Sequence, residues 1–315
     1  MNGFGHLPNK SDQNTFVFYA NASGSASGSF QAWNVPDHAG FLHFTVIGSG
    51  GGGGGGCGGA AAASGRGGGG GGAAGGVVAV SIPAVLLPKT LYLQVGYGGA
   101  PGTGSSDQTL SGQSGQAGTI SYVCLYPEIN AGSVLIQSSN TAPGGGTGGS
   151  GAAPAGTAIT LADTNNLKWL GIVGNTVAQT AGGAGAATGV GASVTYAGIL
   201  TGGASGGVKP GNAVGTAGGS IVMSTNYNSH ALITIAGGAG SSTVAGGDGS
   251  NGFFNWKPFL STGGAGGGGT SALGFNGGTG GAGSYGCGGG GGGASRSTAG
   301  SGGKGGDGLI IITVA

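Results

Sequence analysis

The sequence predicts an all-β protein: a jelly-roll-like antiparallel sandwich that carries a bundle of glycine-rich polyproline II helices, with essentially no α-helix. Three observations carry this. Short aromatic and β-branched segments recur between turn residues, the pattern of half-buried strands. Glycine supplies 88 of 315 residues, and in "GGTGGAG" (277–283) and "GGKGGDG" (302–308) the non-glycine residue returns at every third position. No segment combines a helical period with helix caps.

In chain order, "NTFVFYA" (14–20), "SFQAWNV" (29–35) and "FLHFTVIG" (41–48) read as strands. Between the last two, "VPDHAG" is a turn in which Pro36 fixes φ and Asp37 and Gly40 close the corner. The first glycine block follows at 48–76, an insert in a β-sandwich portion spanning 1–140. "VVAVSIPAVLL", "TLYLQVGYGG", "TISYVCLYP" (119–127) and "SVLIQSS" (133–139) resume the strand pattern. Alternation puts Leu91, Leu93 and Val95 on one face and Thr90, Tyr92 and Gln94 on the other. From 141 to 315 glycine-rich stretches alternate with short apolar pieces such as "SIVMS" and "ALITIAGG". The final strand, 308–314, is expected to pair back into the N-terminal sheet and clamp the bundle.

Composition narrows the class. Collagen needs an unbroken G-X-Y period rich in proline, and ten prolines with uninterrupted glycine runs exclude it. Disorder goes with low hydrophobicity and high charge, whereas here charged residues are 5% and the net charge is +1. A surface so poor in charge suits a large assembly or high ionic strength. The eight Lys and Arg are scattered singly, so nucleic-acid binding is not expected. No apolar run approaches the ~18 residues of a membrane span, and "MNGFGHLPNKSDQNT" lacks the basic start and apolar core of an export signal.

The glycine blocks have a physical use. A polyproline II helix has three residues per turn and no internal hydrogen bonds. Its bare faces can approach neighbours closely, and its N–H and C=O groups then bond sideways. Pure runs such as 50–56 and 288–293 are expected inside the bundle, and runs with Thr, Ser, Lys or Asp at every third place at its surface.

Sites for chemistry are sparse. The seven carboxylates are dispersed, and no His or Cys set has a zinc spacing, so neither enzyme activity nor a cofactor or metal is expected. "GGKGGDGLI" (302–310) matches a calcium-binding nonapeptide but stands alone, where that motif needs tandem copies. Cys57 and Cys287 share a context, each followed by Gly-Gly and by an arginine nine residues on, Arg66 and Arg296. This echo suggests adjacent segments, with the two cysteines either bonded or paired as buried thiols. The recognition candidates are Phe253, Phe254, Trp256 and Phe259 in "NGFFNWKPFL" and Asn226, Tyr227 and Asn228 in "STNYNSH". Exposed aromatics on a stiff scaffold can stack on sugar rings or grip a partner, and the plainer role is a local core and a hairpin turn.

"FQAWNVPDHAGFLHFTVIGSGGGGGGG", "IPAVLLPKTLYLQVGYGGAPG" and "GGKGGDGLIIITVA", in that order over about 30 to 315, resemble the glycine-rich structural proteins of tailed phages, of the tail-fibre and tail-tip type. The glycine blocks are similar to those of phage adhesins built from packed polyproline II helices. The resemblance implies a non-enzymatic virion structural protein, assembled in the host cytoplasm and exposed on the particle for host attachment. The expected assembly is a homotrimer or higher oligomer with other virion proteins as partners; the receptor does not carry over from the resemblance, and a host surface glycan or outer-membrane protein is the candidate. A capsid decoration or head-fibre protein, and a secreted glycine-rich or ice-binding protein, are the alternatives.

Overall fold

The structure is a computed structural model and describes residues 14–21, 30–59, 65–106, 111–138, 142, 144–146, 175–177, 181–185, 190–196, 200–211, 213–224, 231–256 and 259–315. It is all-β: no α-helix occurs among the described residues, and the helical content is one 3-10 turn at Ala84–Leu86.

Two antiparallel sheets form a sandwich. One is ordered β1 (Thr15–Tyr19), β14 (Leu309–Val314), β3 (Phe41–Ile47), β4 (Val77–Pro83), β8 (Asn175–Val177). The other is β2 (Gln31–Asn34), β5 (Thr90–Gln94), β6 (Tyr122–Cys124), β7 (Val134–Gln137). In β3 the alternation is clean, with Leu42, Phe44 and Val46 buried and Phe41 and His43 exposed. Register carries that face across the sheet: Leu42, Phe44 and Val46 stand opposite Val314, Ile312 and Ile310 of β14. They meet Trp33, Leu91, Leu93, Val123 and Ile136 of the second sheet in one core. Phe16 and Phe18 close its edge, edge-on to Trp33 at 5.3 and 6.4 Å. The inward face expected for Leu91, Leu93 and Val95 is found; Gln94 of the opposite face is buried as well.

β14 lies between β1 and β3. The last strand is thus central, and it ties the end of the glycine-rich chain to the sheet where the first glycine block begins.

The glycine blocks form straight rods that leave the sandwich and return to it. Rod 49–57 leaves β3 and rod 67–75 re-enters β4; rod 96–105 leaves β5 and rod 111–119 re-enters β6; rod 299–308 runs into β14. Their bonding has a period of three. The N–H groups of Gly50, Gly53 and Gly56 donate to Gly306, Gly303 and Gly300; those of Gly51, Gly54 and Cys57 to Ala73, Gly70 and Gly67; those of Ser49, Gly52 and Gly55 to Thr119, Gln116 and Gln113. Successive residues therefore point at three different neighbours, as three residues per turn require. The carbonyls of the same rod accept from rods 96–105 and 287–295 and from Gly145. Acceptor neighbours run antiparallel to it, and the two donor rods, 96–105 and 287–295, run parallel. Rod 287–295 is enclosed in the same way: it donates to rods 49–57, 201–209 and 277–284 and accepts from rods 67–75, 262–270 and 299–308.

Glycine is needed here for its missing side chain and not for its freedom of φ. Among the described residues, positive φ occurs at Gly59, Gly211, Gly274 and Gly286, outside the regular runs of the rods. Inside a rod the constraint is contact: a Cβ on Gly53 would fall closer than 3.0 Å to the carbonyl of Gly290. Runs 50–56 and 288–293 are buried as expected. In 301–308 the outward residues are Ser301, Lys304 and Asp307, with buried glycines between. Where a rod lies at the edge, side chains replace backbone acceptors. Asp248 and Asn251, three residues apart, accept the N–H groups of Thr279 (2.7 Å) and Ala282 (2.9 Å).

A third sheet, β11 (Ala231–Ile235), β10 (Ile221–Ser224), β9 (Val194–Tyr196), and a hairpin of β12 (Phe254–Trp256) and β13 (Phe259–Ser261) complete the fold. The pairing of β9 with β10 is parallel, a departure from the antiparallel rule elsewhere.

The expected pairing of Cys57 with Cys287 does not occur. Both are buried free thiols. Their rods are adjacent and parallel, but the register sets Gly51 beside Gly289 and Cys57 beside Ser295. The cysteines therefore lie at opposite ends of the bundle, about 25 Å apart at ~3.1 Å per residue, well beyond the ~7 Å limit between Cα atoms for a disulfide.

Candidate recognition surface

The rods give the molecule two ends. At one, Ile47, Val77, Leu200, Cys287 and Leu309 form a small core under the sandwich. At the other stand the turns that reverse the chain between rods. A nine-residue rod spans about 28 Å, so those turns are held that far from the root.

Among the described residues outside the sandwich, the far turns carry the least buried apolar side chains: Val190, Val214, Val244, Leu273 and Phe275, with Leu273 64% and Phe275 43% exposed. Each belongs to a different crossover or to the 271–276 turn. Turn geometry is fixed locally. Ser241 Oγ accepts the N–H groups of Thr243 (3.2 Å) and Val244 (3.0 Å), and Thr270 Oγ1 donates to Val244 O (2.7 Å) while accepting from Ala272 N (3.2 Å). Val244 thus stands on a short hydrogen-bonded turn that is tied to the start of the 271–276 turn.

The aromatic segment lies at the opposite end. Phe254 meets Trp256 at 5.0 Å, Phe259 at 5.8 Å and Tyr285 at 4.9 Å, all edge-on. Tyr19 of β1 joins through Tyr285 at 5.7 Å. Phe259 and Tyr285 also pack on the core at the bundle root. Phe254 and Phe259 therefore anchor the hairpin, while Phe253 and Trp256 are 41% and 39% exposed. Two of the four aromatics thus belong to a local core, and two are partly exposed. Asn226, Tyr227 and Asn228 lie outside the described residues.

Asp307, of the nonapeptide match, accepts from Gly98 N (2.8 Å) and Lys304 Nζ (2.9 Å), which serves the bundle edge. Among the described residues no group of three or more His, Cys, Asp or Glu gathers, and no helix is long and apolar enough to cross a membrane. Burial pushes the Cys287 thiol up to about 12 and the Cys124 thiol up to about 11, so both remain protonated and unreactive near neutrality.

Sequence reasoning missed the far turns. Their signal was present: "VKPGNAV", "SSTVAGG" and "SALGFNGG" each set an apolar residue among turn formers between glycine runs. No protein-family model matches the chain, and no curated protein matches it.

Proposed function

We propose that the chain is a non-enzymatic structural protein of a phage particle, an exposed tail-fibre or tail-tip component that acts in host attachment, assembling as a homotrimer with other virion proteins. The observation that supports this reading is the mechanical layout. A sandwich with a central closing strand roots a laterally bonded glycine lattice, and the lattice holds short turns with exposed apolar side chains about 28 Å away. Such a scaffold loses little conformational entropy when its 241–244 and 271–276 turns bind, because hydrogen bonds already hold them. Its partner would be a host surface glycan or outer-membrane protein presenting a surface complementary to those turns.

The test is adsorption by particles carrying Leu273→Ser with Phe275→Ser. Both side chains are exposed and their loss leaves the lattice intact, so particle yield should be unchanged while adsorption to host cells falls. Particles with Phe253→Ser and Trp256→Ser form the comparison; adsorption that falls with these alone moves recognition to the hairpin. Normal adsorption by both, with capsids that rupture more easily, would refute attachment in favour of shell decoration.

A further inference from the structure

A rod at the edge of the bundle keeps a row of N–H groups that faces no neighbouring rod. Two such rows are capped by side chains: Asp248 and Asn251 take the N–H groups of Thr279 and Ala282, and Asp307 takes that of Gly98. Rod 299–308 is left open. Its Gly302, Gly305 and Gly308 donate to rod 96–105, and its Gly300, Gly303 and Gly306 donate to rod 287–295. The N–H groups of the remaining row, Ser301, Lys304 and Asp307, meet no acceptor among the described residues. They recur about 9 Å apart, at ~3.1 Å per residue.

The open row faces a cleft. Gly283 N–H donates to Lys304 O (2.9 Å) and Gly286 N–H to Asp307 O (2.8 Å), which holds rods 277–284 and 299–308 side by side. Rod 287–295 fills the groove on their inner side. The groove on their outer side holds a cleft of about 200 Å³, lined by residues 282–285 and 304–307. The three rows of a three-residue turn diverge evenly, so the row that meets neither rod 96–105 nor rod 287–295 turns to this outer side. The aromatic wall of the cleft is Tyr285, whose ring is set by Phe254, edge-on at 4.9 Å, and by Tyr19 at 5.7 Å. Its hydroxyl has no hydrogen-bond partner among the described residues. Lys304 Nζ and Asp307 Oδ1 pair at 2.9 Å, so the cleft carries no net charge. A ligand that fits must accept hydrogen bonds from fixed backbone donors, lay an apolar face on an aromatic ring, and be neutral. A saccharide meets all three conditions: its hydroxyl and ring oxygens accept, and its C–H face packs on the ring.

We propose that the cleft between rods 277–284 and 299–308 binds a neutral saccharide residue. Tyr285 packs on the C–H face of the sugar, and the N–H groups of Lys304 and Asp307 donate to its oxygens. These donors belong to a backbone already held by its other two rows, so binding orders no side chain to use them. The cleft is separate from the far turns and stands whether or not those turns attach to a host.

The experiment titrates the isotope-labelled full chain with the methyl glycosides of glucose, galactose, mannose and N-acetylglucosamine, with glucuronate, and with a proline homopolymer, and follows backbone amides by NMR. Saturable shifts of the Lys304 and Asp307 amides, larger than those of Gly303 and Gly305, are expected with at least one neutral glycoside. Lys304→Pro deletes one donor and suits the rod, because the φ of proline matches polyproline II and the Lys304 N–H bonds nothing in the fold. It should melt no lower than the parent and bind at least about tenfold more weakly. Ser301→Pro, the same change one turn away and outside the cleft, should bind as the parent does. Should Lys304→Pro melt below the parent, the amide shifts of the parent decide alone. No saturable shift at these amides with any glycoside would overturn the proposal, as would equal binding by Lys304→Pro and Ser301→Pro. Glucuronate binding more tightly than every neutral glycoside would overturn it too, and shifts with the proline homopolymer alone would assign the open row to a polypeptide instead.

Discussion

Replacing Gly53 with alanine tests the lattice at its centre. Its N–H donates to Gly303 O at 2.9 Å, and its carbonyl accepts from Gly102 N at 2.8 Å, so the backbone is held on two sides. A methyl group there would overlap the Gly290 carbonyl. Rods 49–57 and 287–295 must then part, which breaks Gly289 N–Gly51 O and Gly292 N–Gly54 O, both 2.9 Å. Those bonds are buried, so two donors and two acceptors lose their partners. Even at about 1 kcal/mol per unsatisfied group, the low end, the loss is about 4 kcal/mol. Alanine narrows the unfolded ensemble and returns only ~0.4–1 kcal/mol. A net loss of about 3 kcal/mol or more is a large share of the ~5–15 kcal/mol of a typical domain. Urea unfolding should show a lower midpoint with an unchanged slope. Gly65→Ala is the control, because a Cβ there meets nothing within 4 Å, and it should leave the midpoint unchanged or slightly raised. A Gly53→Ala protein within about 1 kcal/mol of the parent would mean that the rods do not touch as described, and the reasoning would fail.

Two further outcomes follow from the same geometry. Amide protons of 50–56 and 288–293 should exchange as slowly as those of β3 and β14, since their N–H groups are bonded and buried; exchange at free-peptide rates, read by mass spectrometry, would remove the rigid platform. The chain should also lose stability in alkali. The folded Cys287 and Cys124 thiols titrate at about 12 and about 11 against an ordinary 9.0, so above pH 9 the unfolded chain gives up these protons first and stability falls as pH rises. At pH 10 the loss is about 1 kcal/mol from each thiol. Lys209, held low by burial and its neighbours, acts in the opposite sense as pH approaches 10.5. Urea midpoints at pH 7 and pH 10 should draw closer in Cys287→Ser than in the parent, and an unchanged gap would contradict the burial assigned to this thiol.

The aromatic hairpin and the cysteines show where sequence reasoning reaches its limit. Four aromatics in ten residues mark a cluster, but which of them face water depends on Tyr19 and Tyr285, which are remote in sequence. The repeated Cys-Gly-Gly context suggests adjacent segments, and the segments are adjacent while the two buried thiols are far apart. Both rods run outward in register, so Cys57 sits at the tip and Cys287 at the root. Segment order could not reveal this, because register in a lattice of equivalent glycines is decided by where each rod is tied to the sandwich.

By itself the sequence determined the materials. Alternation in "FLHFTVI" and "TLYLQV" dictates half-buried strands, and glycine with a period of three dictates a rod that is stable only among others. It also placed the closing strand in the sheet, since "LIIIT" can be buried only by pairing. Tertiary structure alone decided which rods neighbour which, because every bare backbone offers the same donors and acceptors to any partner. It decided as well that Arg66 and Lys209, far apart in the sequence, bond backbone to backbone at the tip, for only the register of the assembled rods brings those residues together.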